Sequence, residues 1–258
     1  MSRYFLEVSY KGTNYSGFQL QQNTGKTIQA AVEKAFLILQ KDQVSLTSSS
    51  RTDAGVHALQ NFFHFDTILP LHLWRRIEDE AQFIYKMNAI LPGDIVLRKL
   101  VSVKDNAHCR FDAISREYRY FIYRQKDPFL GDRAFYFPYK LDIDKLNEAA
   151  VIIKRHNDFT SFSKRNTQVK TFICDIMESG WVWEGGCLVY YVKANRFLRG
   201  MVRALAATML KVGRGKMTLT EFKEVIEAKD CTKASFSVPA VGLFLVSVNY
   251  PVDYFKSE

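Results

Sequence analysis

The sequence contains none of the short motifs that point directly to a bound metal. Its five histidines show neither HxxxH nor HExxH spacing, and its four cysteines are scattered without a CxxC pair. These absences predict no metal site, and they favour reduced thiols in a cytoplasmic protein over a disulfide framework. His64 alternates within an expected strand and is predicted to be structural.

A phosphate loop, a nucleophile elbow and a long apolar run are also missing. The run NTGKT at 23–27 ends like a P-loop, but Leu20 stands where that motif requires its first glycine. No G-x-S-x-G elbow occurs, which excludes the serine hydrolases that use one. No apolar run is long enough for a signal peptide or a bilayer span, so we expect a protein without membrane contact.

Positive charge is what the sequence has in excess. There are 36 Lys and Arg residues against 27 Asp and Glu, a formal net charge of +9. Such a balance favours a polyanionic partner such as nucleic acid, although many basic proteins bind none. The positions of the charges along the chain must therefore decide whether a nucleic-acid partner is expected.

The periodicity of the apolar residues predicts an α+β fold. A second helix is expected near 72–88 and a long one over 196–212. Helix starts are predicted where a capping side chain precedes an apolar stripe: at Thr27, at Asp142 or Asp144, and at Thr218 with Glu221. Each half offers three or four strands and two helices in an order that suits antiparallel sheets. We therefore expect two α/β sub-domains, 1–105 and 106–258.

The predicted helix over 196–212 carries its positive charge without any acidic residue. Arg196, Arg199 and Arg203 are spaced i, i+3 and i+7, which would place them on one helix face. A solvated basic face is the simple interpretation, but such faces usually interleave acids that form ion pairs. The pattern favours phosphate binding or pairing with a carboxylate.

The run REYRYFIYR at 116–124 predicts a strand rich in aromatic side chains. Tyr118, Tyr120 and Ile122 would share one face of it. Core packing explains that face, although a buried tyrosine needs a partner for its hydroxyl. Stacking on an unpaired base is a second interpretation.

The run SSRTDAGVHA at 49–58 also admits two interpretations. Asp-Ala-Gly is common turn chemistry, and by spacing alone a turn between two strands is favoured. Arg51 as a cationic neighbour of Asp53, and Gly55 as a point of close backbone approach, count against an incidental turn. The alternative is a carboxylate held in place for chemistry.

Six further runs accompany RTDAGVHA at 51–58 in a fixed order. They are SYKGTNYSGFQ near the start, HCRFDA at 108–113, YRYFIY at 118–123, NDFTSF at 157–162, KANRFLRGMVR at 193–203 and PAVGLFLVSVNYP at 239–251. Together they resemble the TruA family of tRNA pseudouridine synthases. The resemblance implies isomerisation of uridine at positions 38–40 of the tRNA anticodon stem-loop, without cofactor or metal. It also implies a homodimer and a pseudouridine synthase fold, with two sub-domains of mainly antiparallel sheet meeting at a basic active-site cleft.

The resemblance also implies roles for particular residues. Asp53 matches the catalytic aspartate, and Arg203 matches its arginine partner, which would favour the ionised carboxylate. Tyr118 matches a residue that stacks on the target uracil and can relay a proton. The implied substrate contacts are Arg51, which helps hold the flipped-out nucleotide, His57, Leu243 in the pocket wall, and Arg196 and Arg199 on phosphates. Whether Asp53 attacks C1′, attacks C6 or deprotonates C2′ stays open.

Three residues depart from the family pattern, and two other functions stay open. Ser50 stands where glycine is common, Phe18 where tryptophan is usual, and Ala204 where asparagine is frequent. None removes a catalytic group, but together they bear on which uridines are modified. A non-catalytic RNA-binding protein would also explain the charge and the aromatic strand. A nucleoside hydrolase is the weaker alternative, because no second carboxylate stands at a defined spacing from Asp53.

Overall fold

The computed structural model of the chain describes residues 1–21, 24–75, 77–165 and 169–255. These residues form nine strands and five α-helices. In chain order they are β1 Ser2–Tyr10, α1 Ile28–Gln40, β2 Thr47–Ser48, β3 His57–Thr67, α2 Glu80–Ile90, β4 Ile95–Val103, β5 Ser115–Tyr123, β6 Phe135–Tyr136, α3 Ile143–Ile153, β7 Ile176–Glu184, β8 Cys187–Ala194, α4 Met201–Gly213, α5 Leu219–Glu227 and β9 Leu243–Asn249. The predicted mixture of helices and strands is confirmed.

The chain divides into two compact units, and the division differs from the predicted boundary at residue 105. The first unit is Met1–Ile114 with Leu245–Glu258, and the second is Ser115–Phe244. Residues 106–114 stay with the first unit because the end of the chain binds them there: Ile114 N donates to Asn249 O at 2.8 Å. No local sequence signal marks such a long-range pairing.

The first unit is built on the strand order β4-β1-β3-β9, with β2 alongside β3. β1 pairs antiparallel with both β3 and β4, and β2 pairs antiparallel with β3. An aromatic cluster fills the core beside these strands. Its rings are Phe36, Phe65, Trp74 and Phe83.

The second unit is built on the strand order β5-β8-β7, with β6 alongside β5. β8 pairs antiparallel with β5 and β7, whereas β6 runs parallel to β5. Asn147 of α3 exchanges two hydrogen bonds with the backbone of Trp181 in β7, which ties this helix to the strand edge. Helix α4 is buried along its length apart from Arg203 and Lys211.

The predicted helix caps are confirmed. Thr27 accepts from Ala30 N, Asp142 accepts from Lys145 N, and Thr218 forms the capping box with Glu221. The helix expected at 72–88 instead begins at Glu80, because Asp79 caps it by accepting from Gln82 N at 2.7 Å. Among the helices in the described part of the chain, none is both long and apolar enough to cross a bilayer.

Candidate functional site

The segment SSRTDAGVHA forms a fixed loop between β2 and β3. Val56 N donates to Asp53 O at 3.2 Å, which closes a turn. Gly55 in that turn has φ of +77°, a left-handed conformation that favours glycine. The buried side chains of the loop are Ser49, Ser50, Thr52 and Val56. Arg51 is exposed and Asp53 is partly exposed, so these two charged groups lie on the accessible side of a rigid loop.

A buried hydrogen-bond network stabilises this loop on its core-facing side. Asn61 of β3 is fully buried, and its Nδ2 donates to Ser50 O at 3.0 Å and to Tyr10 Oη at 3.2 Å. Ser49 Oγ donates to Asn61 Oδ1 at 2.7 Å. The hydroxyls of Tyr10 and Thr52 form a further hydrogen bond of 2.8 Å. Because an unsatisfied buried polar group costs about 1–3 kcal/mol, the network resists displacement of the loop.

His57 lies beneath the loop. Its side chain is 1% exposed, and its Nδ1 accepts from Gly12 N at 3.2 Å. The sequence placed His57 among the residues that contact substrate. The buried position instead suits a residue that supports the loop, because a side chain covered by its own unit offers little surface to a ligand.

The three departures from the family pattern are all buried. Phe18 is fully buried, stacks on Phe63 with ring centroids 4.5 Å apart, and donates its backbone N–H to Thr52 O. Ala204 lies fully buried within α4. The hydroxyl of Ser50 is buried without a hydrogen-bond partner among the described residues. Phe18 and Ser50 therefore act on the Asp53 loop from its buried side, whereas Ala204 packs inside the second unit.

In the second unit, the face predicted for the tyrosine strand is confirmed. Tyr118, Tyr120 and Ile122 are all buried on β5. Tyr118 is 9% exposed, and its ring meets Phe197 edge to face with centroids 4.9 Å apart. Tyr120 Oη donates to Pro239 O at 2.8 Å. Burial raises the pKa of Tyr120, and the charge of nearby Arg203 offsets only part of that increase.

Arg203 fixes the segment that leads into β9. Its Nε and Nη2 both donate to Val238 O, at 3.0 and 2.7 Å. The adjacent carbonyl, of Pro239, is the one that Tyr120 binds. Gly242 packs against Phe121 O so closely that an added Cβ would lie 2.7 Å from it. Leu243, which follows and is buried, therefore has a well-defined position.

The prediction that Arg196, Arg199 and Arg203 share one helix face is wrong. Helix α4 begins at Met201, and its N-cap Gly200 has φ of +75°, which stops the helix from extending towards the N-terminus. Arg196 and Arg199 precede it in a connecting segment, where Arg199 O accepts from Lys164 N at 3.0 Å. Only Arg203 belongs to α4.

The fold brings together three potential metal ligands that no spacing motif connects. Donor atoms of His64, His108 and Cys109 lie within 4.8 Å of one another. Each residue also hydrogen-bonds within the protein. His64 Nδ1 lies 3.1 Å from Cys109 Sγ, that sulfur donates to Thr47 O, and His108 Nδ1 accepts from Arg110 N. These bonds agree with the structural role predicted for His64.

Acid should destabilise the protein through His64. Burial, followed by the charges of His108 and Arg3, lowers the pKa of His64 from 6.5 to about 4. In the unfolded chain the His64 ring takes up a proton below about pH 6.5, whereas in the folded protein it stays neutral down to about pH 4. The stability that the neutral ring contributes is therefore complete above pH 6.5 and falls as the pH decreases towards 4. We expect the free energy of unfolding to decrease by roughly 2–3 kcal/mol between pH 7 and pH 4.5 from this residue. Urea titrations of wild type and His64→Gln at pH 7 and pH 4.5 measure this change in the free energy of unfolding.

In that experiment the variant should show a smaller pH dependence than wild type. Wild type titrated in parallel gives the reference dependence. Equal pH dependence in wild type and His64→Gln would contradict the assignment to His64.

Comparison with known proteins identifies the family. A family model described as tRNA pseudouridine synthase matches residues 152–251. The chain is 45% identical over 258 residues to tRNA pseudouridine synthase A of Parabacteroides distasonis, with 100% of both chains covered. The chain belongs to the tRNA pseudouridine synthase family. A more distant relative, tRNA pseudouridine synthase A of Staphylococcus aureus, is 38% identical over 95% of this chain and 91% of its own. The enzyme is thus an isomerase that forms pseudouridine in tRNA.

Several residues that shape the site were not found from the sequence. Asn61 carried one available signal, as an amide at the start of the aromatic-rich run NFFHF. Gly12 and Tyr10 carried none, because their contacts with the loop join segments more than forty residues apart. The enzyme's charged loop is therefore recognisable in sequence, whereas its support is not.

Proposed function

We propose that the enzyme isomerises uridine at positions 38–40 of tRNA, in the anticodon stem-loop, with Asp53 as the catalytic carboxylate. The observation that carries this proposal is the Asp53 turn. Hydrogen bonds to its backbone and to buried Thr52 hold the turn in place. The Asp53 side chain stays partly accessible, and nearby Arg51 is exposed. A carboxylate that acts on a substrate needs both access and a fixed position.

The reaction requires no outside oxidant or reductant. The N1–C1′ bond of uridine breaks, the base rotates, and C5 joins C1′, while the proton leaves C5 and N1 gains one. A carboxylate can serve as nucleophile or as base in such a rearrangement. A base in a helical stack must first be flipped out, and a guanidinium with an aromatic face can replace the stacking it loses. We assign the guanidinium that holds the flipped-out nucleotide to Arg51, and the aromatic face that stacks on the uracil to Tyr118.

The remaining residues are assigned supporting roles in the same proposal. Arg203 is the proposed partner of Asp53, and its two bonds to Val238 O restrain the guanidinium. Leu243 supplies an apolar wall of the uracil pocket. Arg196 and Arg199 are proposed to contact phosphates from their connecting segment. His57 is proposed to hold the catalytic loop rather than to touch the nucleotide.

Two further features belong to the proposal. Homodimer formation is supported by the family resemblance. A cytoplasmic location agrees with cysteines that form no disulfide among the described residues and with a tRNA substrate.

One experiment tests the proposal against both alternatives. Purified enzyme is incubated with an unmodified tRNA transcript, and pseudouridine is mapped by carbodiimide adducts that stop reverse transcription. We expect stops at positions 38–40. Stops elsewhere would overturn the proposed positions, and bound but unmodified tRNA would favour a non-catalytic binding protein. Release of free uracil would instead support a hydrolase.

A further inference from the structure

A cavity of about 280 Å³ opens in the first unit beside Arg51. Its wall combines that arginine with residues of a second loop, His108, Arg110 and Phe111, and with polar side chains of the β2 region. None of the described residues that line it is acidic. A cavity with two arginines, an aromatic ring and no acid suits an anionic ligand that also has a flat apolar face.

Phe111 is the unusual member of this wall. The side chain is 73% exposed, although burying a phenylalanine normally stabilises a fold. The ring centroids of Phe111 and His108 lie 4.2 Å apart. The Arg110 guanidinium carbon lies 5.7 Å from the Phe111 centroid. One side of the ring is therefore held by the protein while much of its surface remains in solvent.

The loop that presents Phe111 is rigid. His108 Nδ1 accepts from the backbone N–H groups of Arg110 and Phe111, and His108 N donates to Asp112 Oδ2 at 2.8 Å. Asp112 N returns a bond to His108 O at 3.1 Å. Because these bonds form within the free protein, a ligand would bind the loop with little loss of conformational freedom.

We propose that this cavity is a subsite for single-stranded RNA, in which Phe111 stacks on an unpaired base and Arg110 binds the adjacent phosphate, next to the Arg51 that holds the flipped-out nucleotide. Aromatic faces and arginines are the groups with which proteins hold unpaired nucleotides. The inference rests on the proposed function, because the RNA is the tRNA substrate. It goes further by naming a contact for a second nucleotide, outside the reacting uridine.

Removal of the ring should weaken tRNA binding without changing the chemical step. Base stacking on an aromatic side chain contributes about 1–3 kcal/mol, so Phe111→Ala should raise the Kd and the KM for tRNA about 5- to 150-fold. The value of kcat should be unchanged, and Phe111→Tyr should restore wild-type binding. Phe129→Ala, at a phenylalanine of the second unit that is 80% exposed, is the matched control and should bind normally.

The contact with phosphate is tested separately through salt dependence. Arg110→Gln should reduce the slope of log Kd against log salt by about one, as expected for one lost phosphate contact. Phe111→Leu keeps an apolar side chain but lacks the aromatic face, so it should bind as weakly as Phe111→Ala. Wild-type binding by Phe111→Leu would overturn stacking, and wild-type binding by Phe111→Ala would overturn the subsite.

The two proposals can fail independently. The Kd values are measured by filter binding, which reports affinity whether or not the RNA is modified. Absence of pseudouridine with wild-type enzyme would overturn the proposed function. A normal Kd for Phe111→Ala in an enzyme that still modifies positions 38–40 would overturn only the subsite. Circular dichroism verifies that each variant is folded.

Discussion

Asp53→Asn should abolish pseudouridine formation while leaving tRNA affinity close to that of wild type. Asparagine has nearly the same shape and is also favoured in turns, so the loop should keep its hydrogen bonds. It cannot act as a carboxylate base or nucleophile. Loss of a general base alone typically slows a reaction roughly 10²- to 10⁴-fold, and loss of a nucleophile costs at least as much.

The measurement is a single-turnover assay on unmodified tRNA, with carbodiimide mapping as readout and filter binding run in parallel. Asp42→Asn is the matched control, since Asp42 is an exposed aspartate on another loop of the same unit. That variant should modify tRNA at the wild-type rate. Full activity in Asp53→Asn would refute the assignment of the catalytic carboxylate.

Gly12→Ala should displace the loop that carries Asp53 without altering any charged group. A Cβ at this position would meet Val56 O and lie 2.7 Å from Val56 C, which no relaxed structure permits. Val56 closes the Asp53 turn, so the collision must move either that turn or the segment after β1. Overpacking of this kind costs about 1–3 kcal/mol or more in stability. A shift of about 1 Å in a catalytic group can cost about 10²-fold in rate.

Urea unfolding and the single-turnover rate measure the two effects in the same variant. Gly93→Ala provides the control, because an added Cβ there meets nothing within 4 Å. It should retain wild-type stability and rate. If Gly12→Ala matched wild type in both measurements, the close packing between Gly12 and the loop would contribute neither to stability nor to the reaction rate.

Local features of the fold could be predicted because neighbouring residues alone determine them. A capping side chain needs only the next turn of helix, so the helix starts after Thr27, Asp142 and Thr218 followed from the sequence. The buried face of β5 followed from alternation, since successive side chains of a strand point to opposite faces. The charged residues Arg51 and Asp53 were also recognisable in their motif.

The arginines before α4 show where local reasoning failed. Their spacing of three and four residues is real, but spacing defines a face only inside a helix. Gly200 in a left-handed conformation ends the helix before it reaches Arg196 and Arg199. Glycine tolerates both conformations, so the sequence alone leaves its φ angle undetermined.

The family, the helix caps, the strand faces and the charged loop that carries Asp53 all follow from local patterns of residues. What holds that loop and what lies beside it depend on the fold of the whole unit. Tyr10, Gly12 and Asn61 reach it from other strands and turns, and Phe111 joins Arg51 at one cavity from sixty residues away. These contacts depend on strand pairing and packing between distant segments, which no local pattern of residues encodes.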